Sequence, residues 1–321
     1  MTTRVRCKEG GNFRAYKCRW WAWRGVVMGV VMLAVVMAVG VVSPFSHIYS
    51  EYLLRSLDGP LAADDPELLL YIREQVLNPP STQPYNLLGK RNIASLMPEK
   101  SEMFYNESLR ILFQNKTDGF FVEAGALDGE TMSNTLWLEV ERGWSGLLVE
   151  ADRKDYLALI TKHRRSWAAN VCLAPYPYPS KEMFNQLPHF SGPMAKNLGF
   201  KTRAMHGLSK FSSDRVLSNS WFQEVQCLPL ESLLLALEVT QVDLLILDIE
   251  GAEMAVLGHL DLQKFKVQVL CVEWKKGDEV DEVSRKISER GYVEVARTSE
   301  DIILVQKGSQ YEGRLERKDL T

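Results

Sequence analysis

The sequence has almost no excess of either charge. Its 38 Lys and Arg stand against 41 Asp and Glu, a formal net charge of −3, and the pI is about 6.0. That balance argues against bulk binding of nucleic acid, which needs a basic face. No internal repeat or low-complexity tract is present, so solenoid arrays and compositionally disordered chains are set aside. The complete G-x-G-x-x-G fingerprint is missing, so a dinucleotide site is not indicated. What is present is an ordinary globular composition, 46% apolar, in a chain long enough for one large α/β domain with appendages.

The average conceals an asymmetric start. Before Gly25 there are seven basic residues (Arg4, Arg6, Lys8, Arg14, Lys17, Arg19, Arg24) against one acid, Glu9. Val26 to Val42 then runs seventeen residues without a charge. As a helix it would span about 26 Å, enough for a thin bilayer core. Trp20, Trp21 and Trp23 lie at its basic end, where an interfacial belt would place them. The expectation is an uncleaved signal anchor, with the N-terminus cytosolic and the C-terminal bulk lumenal. The alternative is a leader cleaved after the small residues Ala38 to Gly40. Two sequons follow, at Asn106 and Asn115, and suit a lumenal or extracellular location.

There are five cysteines. Cys7 and Cys18 fall on the cytosolic side of this topology, as thiols or palmitoylation sites. Cys271, inside "VQVLCVEW", reads as a core thiol. Cys172 and Cys227 each adjoin a strand-like segment and could pair in an oxidising lumen; two free buried thiols are the alternative.

The expected organisation is a basic tail over 1–24, the anchor over 25–45, a stem over 46–100, a folded domain over 101–308 and a polar tail over 309–321. In the stem, Asp64 or Asp65 caps a helix that opens on Pro66. In the domain, "GFFVEAGA", "WSGLLVEAD", "SWAANVCLA", "VDLLILDIEGAE" and "VQVLCVEW" read as strands alternating with helices. "YVEVART" and "DIILVQK" close the chain as an antiparallel pair. That alternation predicts an α/β doubly wound, mostly parallel sheet.

Ligands of such sheets bind beyond the carboxyl ends of the strands, where strand order reverses. The first strand delivers Glu123, Gly125 and Gly129 there, with a helix N-terminus suited to anions. The second delivers Glu150, placed to accept hydrogen bonds from both hydroxyls of a ribose. The fourth delivers Asp248, Glu250, Gly251 and Glu253, and the fifth Glu273 and Trp274. Asp248, Glu250 and Glu253 could together suggest a divalent metal, but no histidine or further aspartate joins them, and no metal is expected. Pro175 to Glu224 reads either as a lid over an acceptor or as a surface excursion. His189 and His206 within it read as surface histidines.

"VEAGALDGE" and "LDIEGAE", in this order and at this distance, resemble the FkbM-type methyltransferase domain over about residues 105–307. With the N-terminal anchor, "GFFVEAGALDGETMSNT" and "LLILDIEGAE" look like its membrane-anchored animal branch, the Star-type proteins. Ala124 precedes the first glycine, and Leu247 stands where bacterial members often carry lysine. The resemblance implies a Rossmann-like fold holding S-adenosylmethionine through Glu123, Gly125, Gly129, Glu150 and Asp248. It implies O-methyl transfer to a glycan or small polar acceptor, with Asp248 or Glu250 as base. The Star-type branch implies instead a non-catalytic factor. That factor would export membrane cargo, such as growth-factor precursors, from the endoplasmic reticulum to the Golgi, with endosomal or plasma membrane as further locations.

Overall fold

The computed structural model describes residues 61–88, 107–186, 206–218, 220–274, 280–298, 301–315 and 318–319. The Val26–Val42 run lies outside them. Among the described residues no helix is long and apolar enough to cross a membrane.

The chain enters through helix α1 (Pro66–Tyr71), where Pro66 fits the first turn and the Asp65 carboxylate accepts from the Glu67 and Leu68 amides. The helix loosens into a π turn at Ile72–Val76 and leads to β1 (Leu77–Asn78). The remaining strands of the main sheet and their helices then alternate. They are β2 (Phe120–Ala124), α2 (Leu136–Arg142), β3 (Ser145–Val149), α3 (Arg153–Ile160) and β4 (Trp167–Ala169). After an excursion described below, α4 (Leu230–Ala236) leads to β9 (Leu244–Leu247). Then come α5 (Glu253–His259), β10 (Val269–Glu273), α6 (Val280–Ser288), β11 (Tyr292–Arg297), β12 (Asp301–Gln306) and β13 (Lys318–Asp319).

The spatial order is β1-β4-β3-β2-β9-β10-β12-β11-β13. The five strands from β4 to β10 are parallel; β12 inserts antiparallel between β10 and β11. Runs such as Leu244–Leu247 are buried at every residue, as strands covered on both faces must be. From β2 the chain winds outward to β3 and β4; β9 then returns to the other side of β2. The order therefore reverses between β2 and β9, and the crevice at their carboxyl ends is the switch point.

The excursion is not a loop. Cys172–Leu173 (β5), Ser180–Gln186 (β6), Gly207–Leu208 (β7) and Trp221–Leu228 (β8) build a second sheet in the order β5-β8-β6-β7. "SWAANVCLA", expected as one strand, is thus two. Trp167–Ala169 joins the main sheet, Asn170 turns with its amide donating to the Glu150 carbonyl, and Cys172–Leu173 joins the second sheet. The described residues of 175–224, expected as a lid or a surface excursion, build this sheet, with Phe184, His206 and Leu208 lining the cavity described below and Met183, Trp221 and Phe222 exposed.

Two expected boundaries also move. Part of the stem is structural: Leu77 and Asn78 pair antiparallel with β4, and Leu68 and Ile72 are fully buried. The expected polar tail is structural too. Tyr311 is buried against Phe113, Arg314 donates to the Leu112 carbonyl, and Lys318–Asp319 pairs with β11.

Candidate functional site

The exits of β2, β3, β9 and β10 and the inner edge of the second sheet enclose a cavity of about 170 Å³. A single water needs about 10–15 Å³, so this is room for a ligand.

At the end of β2, Gly125 turns the chain at φ +86, a region L side chains avoid. A Cβ there would lie 1.9 Å from the Asp248 carbonyl oxygen. The glycine is therefore demanded by the neighbouring backbone as well as by the turn. The Gly125 and Ala126 amides both donate to the Val149 carbonyl, which ties the turn to β3. Gly129, at φ +73, lets Leu159 of α3 approach; a Cβ there would meet its Cγ at 2.9 Å. Neither glycine's missing side chain is replaced by open cavity.

Glu123 lines the cavity, but its carboxylate is occupied by the chain. It accepts from the Asn134 amide at 2.7 Å and from the Ser133 and Thr135 hydroxyls, so it clamps the turn before α2. Burial raises its pKa, and the Arg164 guanidinium and these donors oppose the rise.

Glu150, just past β3, joins two loops. One oxygen accepts from Leu127 N at 2.8 Å and the other from Asp152 N at 2.7 Å. A carboxylate has about four acceptor sites, so two hydroxyl donors can be added. Burial pushes its pKa up to about 8; the two amides oppose that, and Asp155 and Asp152 add to it.

The fourth-strand motif divides. Asp248 and Glu250 line the cavity, Glu250 at φ +62 and Gly251 at φ +109. Glu253 turns back on its own loop and accepts from Ile249 N at 2.9 Å and Gly251 N at 2.9 Å. Burial raises it to about 7, with the Asp248 charge adding. Glu273, at the end of β10, also lines the cavity. Burial holds it well above the carboxylate range, reinforced by the Asp248 and Glu250 charges and a hydrogen bond with Asp248.

The structure also brings in residues that the sequence reading missed. Asp152 caps α3 with one oxygen, accepting from Lys154 N, and with the other accepts from Gln186 Nε2 at 2.7 Å and lies 3.2 Å from His206 Nδ1. It thereby ties the second sheet to the switch point. Burial alone would raise it, but the His206 hydrogen bond and the Lys154 amide bring it down to about 2. His206 is buried in the cavity wall and not a surface histidine; His189 lies outside the described residues. The N-cap position of Asp152 after "VEA" was a usable signal. Nothing in the sequence around His206 marks it.

Cys172 and Cys227 sit opposite each other in the β5–β8 register and are joined as a disulfide, Cα–Cα 4.4 Å. Cys172 lines the cavity, so the bridge secures one of its walls. Cys271 is a buried free thiol. Asn115 is exposed, and Asn106 lies outside the described residues.

A large mixed α/β sheet with a ligand-sized cavity at its strand-order reversal defines the class of protein. The Methyltransferase FkbM domain model matches residues 123–294, more than half of the chain, and the chain belongs to that family. No curated protein matches it. A crystal structure from Listeria monocytogenes, provisionally assigned as a class I S-adenosylmethionine-dependent methyltransferase, overlaps 73% of this chain and 68% of its own. Identity there is 9% and the TM-score 0.35, a likeness too loose to carry any argument.

Proposed function

We propose that the protein is an S-adenosylmethionine-dependent O-methyltransferase, held by an N-terminal anchor with its domain on the lumenal side. The observation that carries this reading is Glu150. A buried carboxylate with spare acceptor capacity stands at the switch point of a family built for methyl transfer.

The cavity suits the cofactor. Glu150 would receive the ribose hydroxyls. Val171, Leu173, Phe184 and Leu208 give an apolar wall for a flat base. S-adenosylmethionine supplies an electrophilic methyl group on a sulfonium sulfur. The chain's own part is to align an acceptor hydroxyl with that methyl and to take its proton. Asp248, half-buried at the cavity wall, is the base in this reading, and Glu250 stands beside it. A glycan or small polar alcohol is the acceptor class. Methyl-tritiated cofactor incubated with lumenal glycans should label a base-stable ether, and Asp248→Asn should lower turnover more than binding. Label that is independent of Asp248 removes its role.

A second reading, an export factor that binds cargo, draws on exposed apolar side chains of the second sheet. Trp221 is 71% exposed, and Met183 and Phe222 are about half exposed. Phe222→Glu should abolish cargo export without changing cofactor binding if that reading holds. Unchanged export counts against it.

A further inference from the structure

Four acids at the strand exits, Glu123, Glu150, Glu253 and Glu273, differ in how their oxygens are satisfied. Glu123, Glu150 and Glu253 each have both oxygens satisfied by amide or hydroxyl donors of the chain. Glu273 does not: it shares a hydrogen bond with Asp248, but its Oε2 is fully buried and has no hydrogen-bond partner among the described residues. A buried oxygen left in that state costs about 1–3 kcal/mol, more when charged.

The neighbours of Glu273 deepen the deficit. Leu247 and Val272 are paired in the parallel β9–β10 ladder, so Asp248 and Glu273 emerge side by side. One oxygen each from Asp248, Glu250 and Glu273 lie within 4.8 Å of one another. Like charges at that range repel strongly away from bulk water. The backbone nonetheless holds them together. Glu250 keeps a left-handed φ, and its Cβ fills the space that a side chain at Gly207 would need.

We infer that Asp248, Glu250 and Glu273 bind one divalent cation at the cavity wall. The donor set is three carboxylate oxygens with no nitrogen or sulfur, which suits Mg²⁺, Mn²⁺ or Ca²⁺ over Zn²⁺ or copper. A six-coordinate ion would keep positions open to the cavity for water or for a ligand's hydroxyl oxygens. The set differs from the one the motif alone suggests. Glu253 is spent on its own loop, and Glu273, contributed by the next strand, takes its place.

This inference does not depend on the methyltransferase reading, and its test uses the ion alone. Full-chain protein in detergent is titrated with Mn²⁺ without cofactor, and free Mn²⁺ is followed by its paramagnetic resonance signal. The expected result is one Mn²⁺ per chain, displaced by Mg²⁺ or Ca²⁺. Glu273→Gln and Asp248→Asn should each weaken binding at least tenfold while keeping the wild-type circular dichroism. Glu141→Gln, on the surface, should leave binding unchanged. No binding by wild type at about 1 mM Mn²⁺, the weak end for oxygen-ligand sites, overturns the inference and leaves a shared proton as what holds the carboxylates together. Equal binding in both cluster variants overturns it too. Failure to bind S-adenosylmethionine would leave either result unaffected.

Discussion

Gly125 packs against the Asp248 backbone just past the β2–β9 pair, and its role is narrower than the sequence implies. A glycine after a strand suggests backbone drawn up to a ligand. Here the close neighbour is the Asp248 carbonyl. Gly125→Ala is therefore expected to destabilise the fold by roughly 3 kcal/mol or more, through the clash and the forced left-handed φ. Thermal unfolding checks this. A full-stability Gly125→Ala variant that has lost only ligand binding would return the glycine to a ligand-facing role. Glu150 gives a second test at this scale. Its folded pKa of about 8 lies above the ordinary value of 4.5, so between those values the folded state holds a proton that the unfolded state has shed. Stability must then fall as pH rises through that window, by at most about 1.4 kcal/mol per pH unit for the one group. Glu150→Gln should flatten this slope in denaturant titrations at several pH values. An identical slope in both proteins would mean Glu150 is solvated.

Among the elements, the central strands were the most legible. "FFVEA", "SGLLV", "LLIL" and "VLCVE" are buried apolar runs, and each appears as a parallel strand of the main sheet. The site acids at their ends followed from position alone. Of the second sheet, only the strand-like segments beside Cys172 and Cys227 were legible. Its longest strands, Ser180–Gln186 and Trp221–Leu228, alternate polar and apolar residues weakly, and the first is flanked by prolines. They pair with each other across a long separation that no local signal encodes. His206 and Gln186 were missed for the same reason, since their partner Asp152 belongs to the other sheet. The disulfide joins β5 to β8 across 55 residues, a closure worth roughly 4 kcal/mol in the chain-entropy model. Reduction, or Cys172→Ala with Cys227→Ala, is expected to lower the melting temperature clearly. Non-reducing peptide mapping should recover the linked pair, and recovery of two alkylated thiols would contradict it.

At the scale of the whole molecule, a domain of the FkbM methyltransferase family follows an expected membrane anchor that would place it in the lumen. Asn115 lies in an exposed turn where a glycan can be attached, so the protein from cells should shift on glycosidase treatment. Asn106→Gln with Asn115→Gln should remove the shift. An unshifted band, with a domain open to protease in sealed microsomes, would place the domain in the cytosol. In the proposed function, the cavity at the strand-order reversal holds S-adenosylmethionine through Glu150. Calorimetric titration of the wild type and Glu150→Ala side by side tests it most directly. Saturable one-site binding is expected, with affinity reduced at least about tenfold in the variant for the loss of the two ribose hydrogen bonds. Absence of heat with the wild type at millimolar cofactor, or equal affinity in the two proteins, would contradict it.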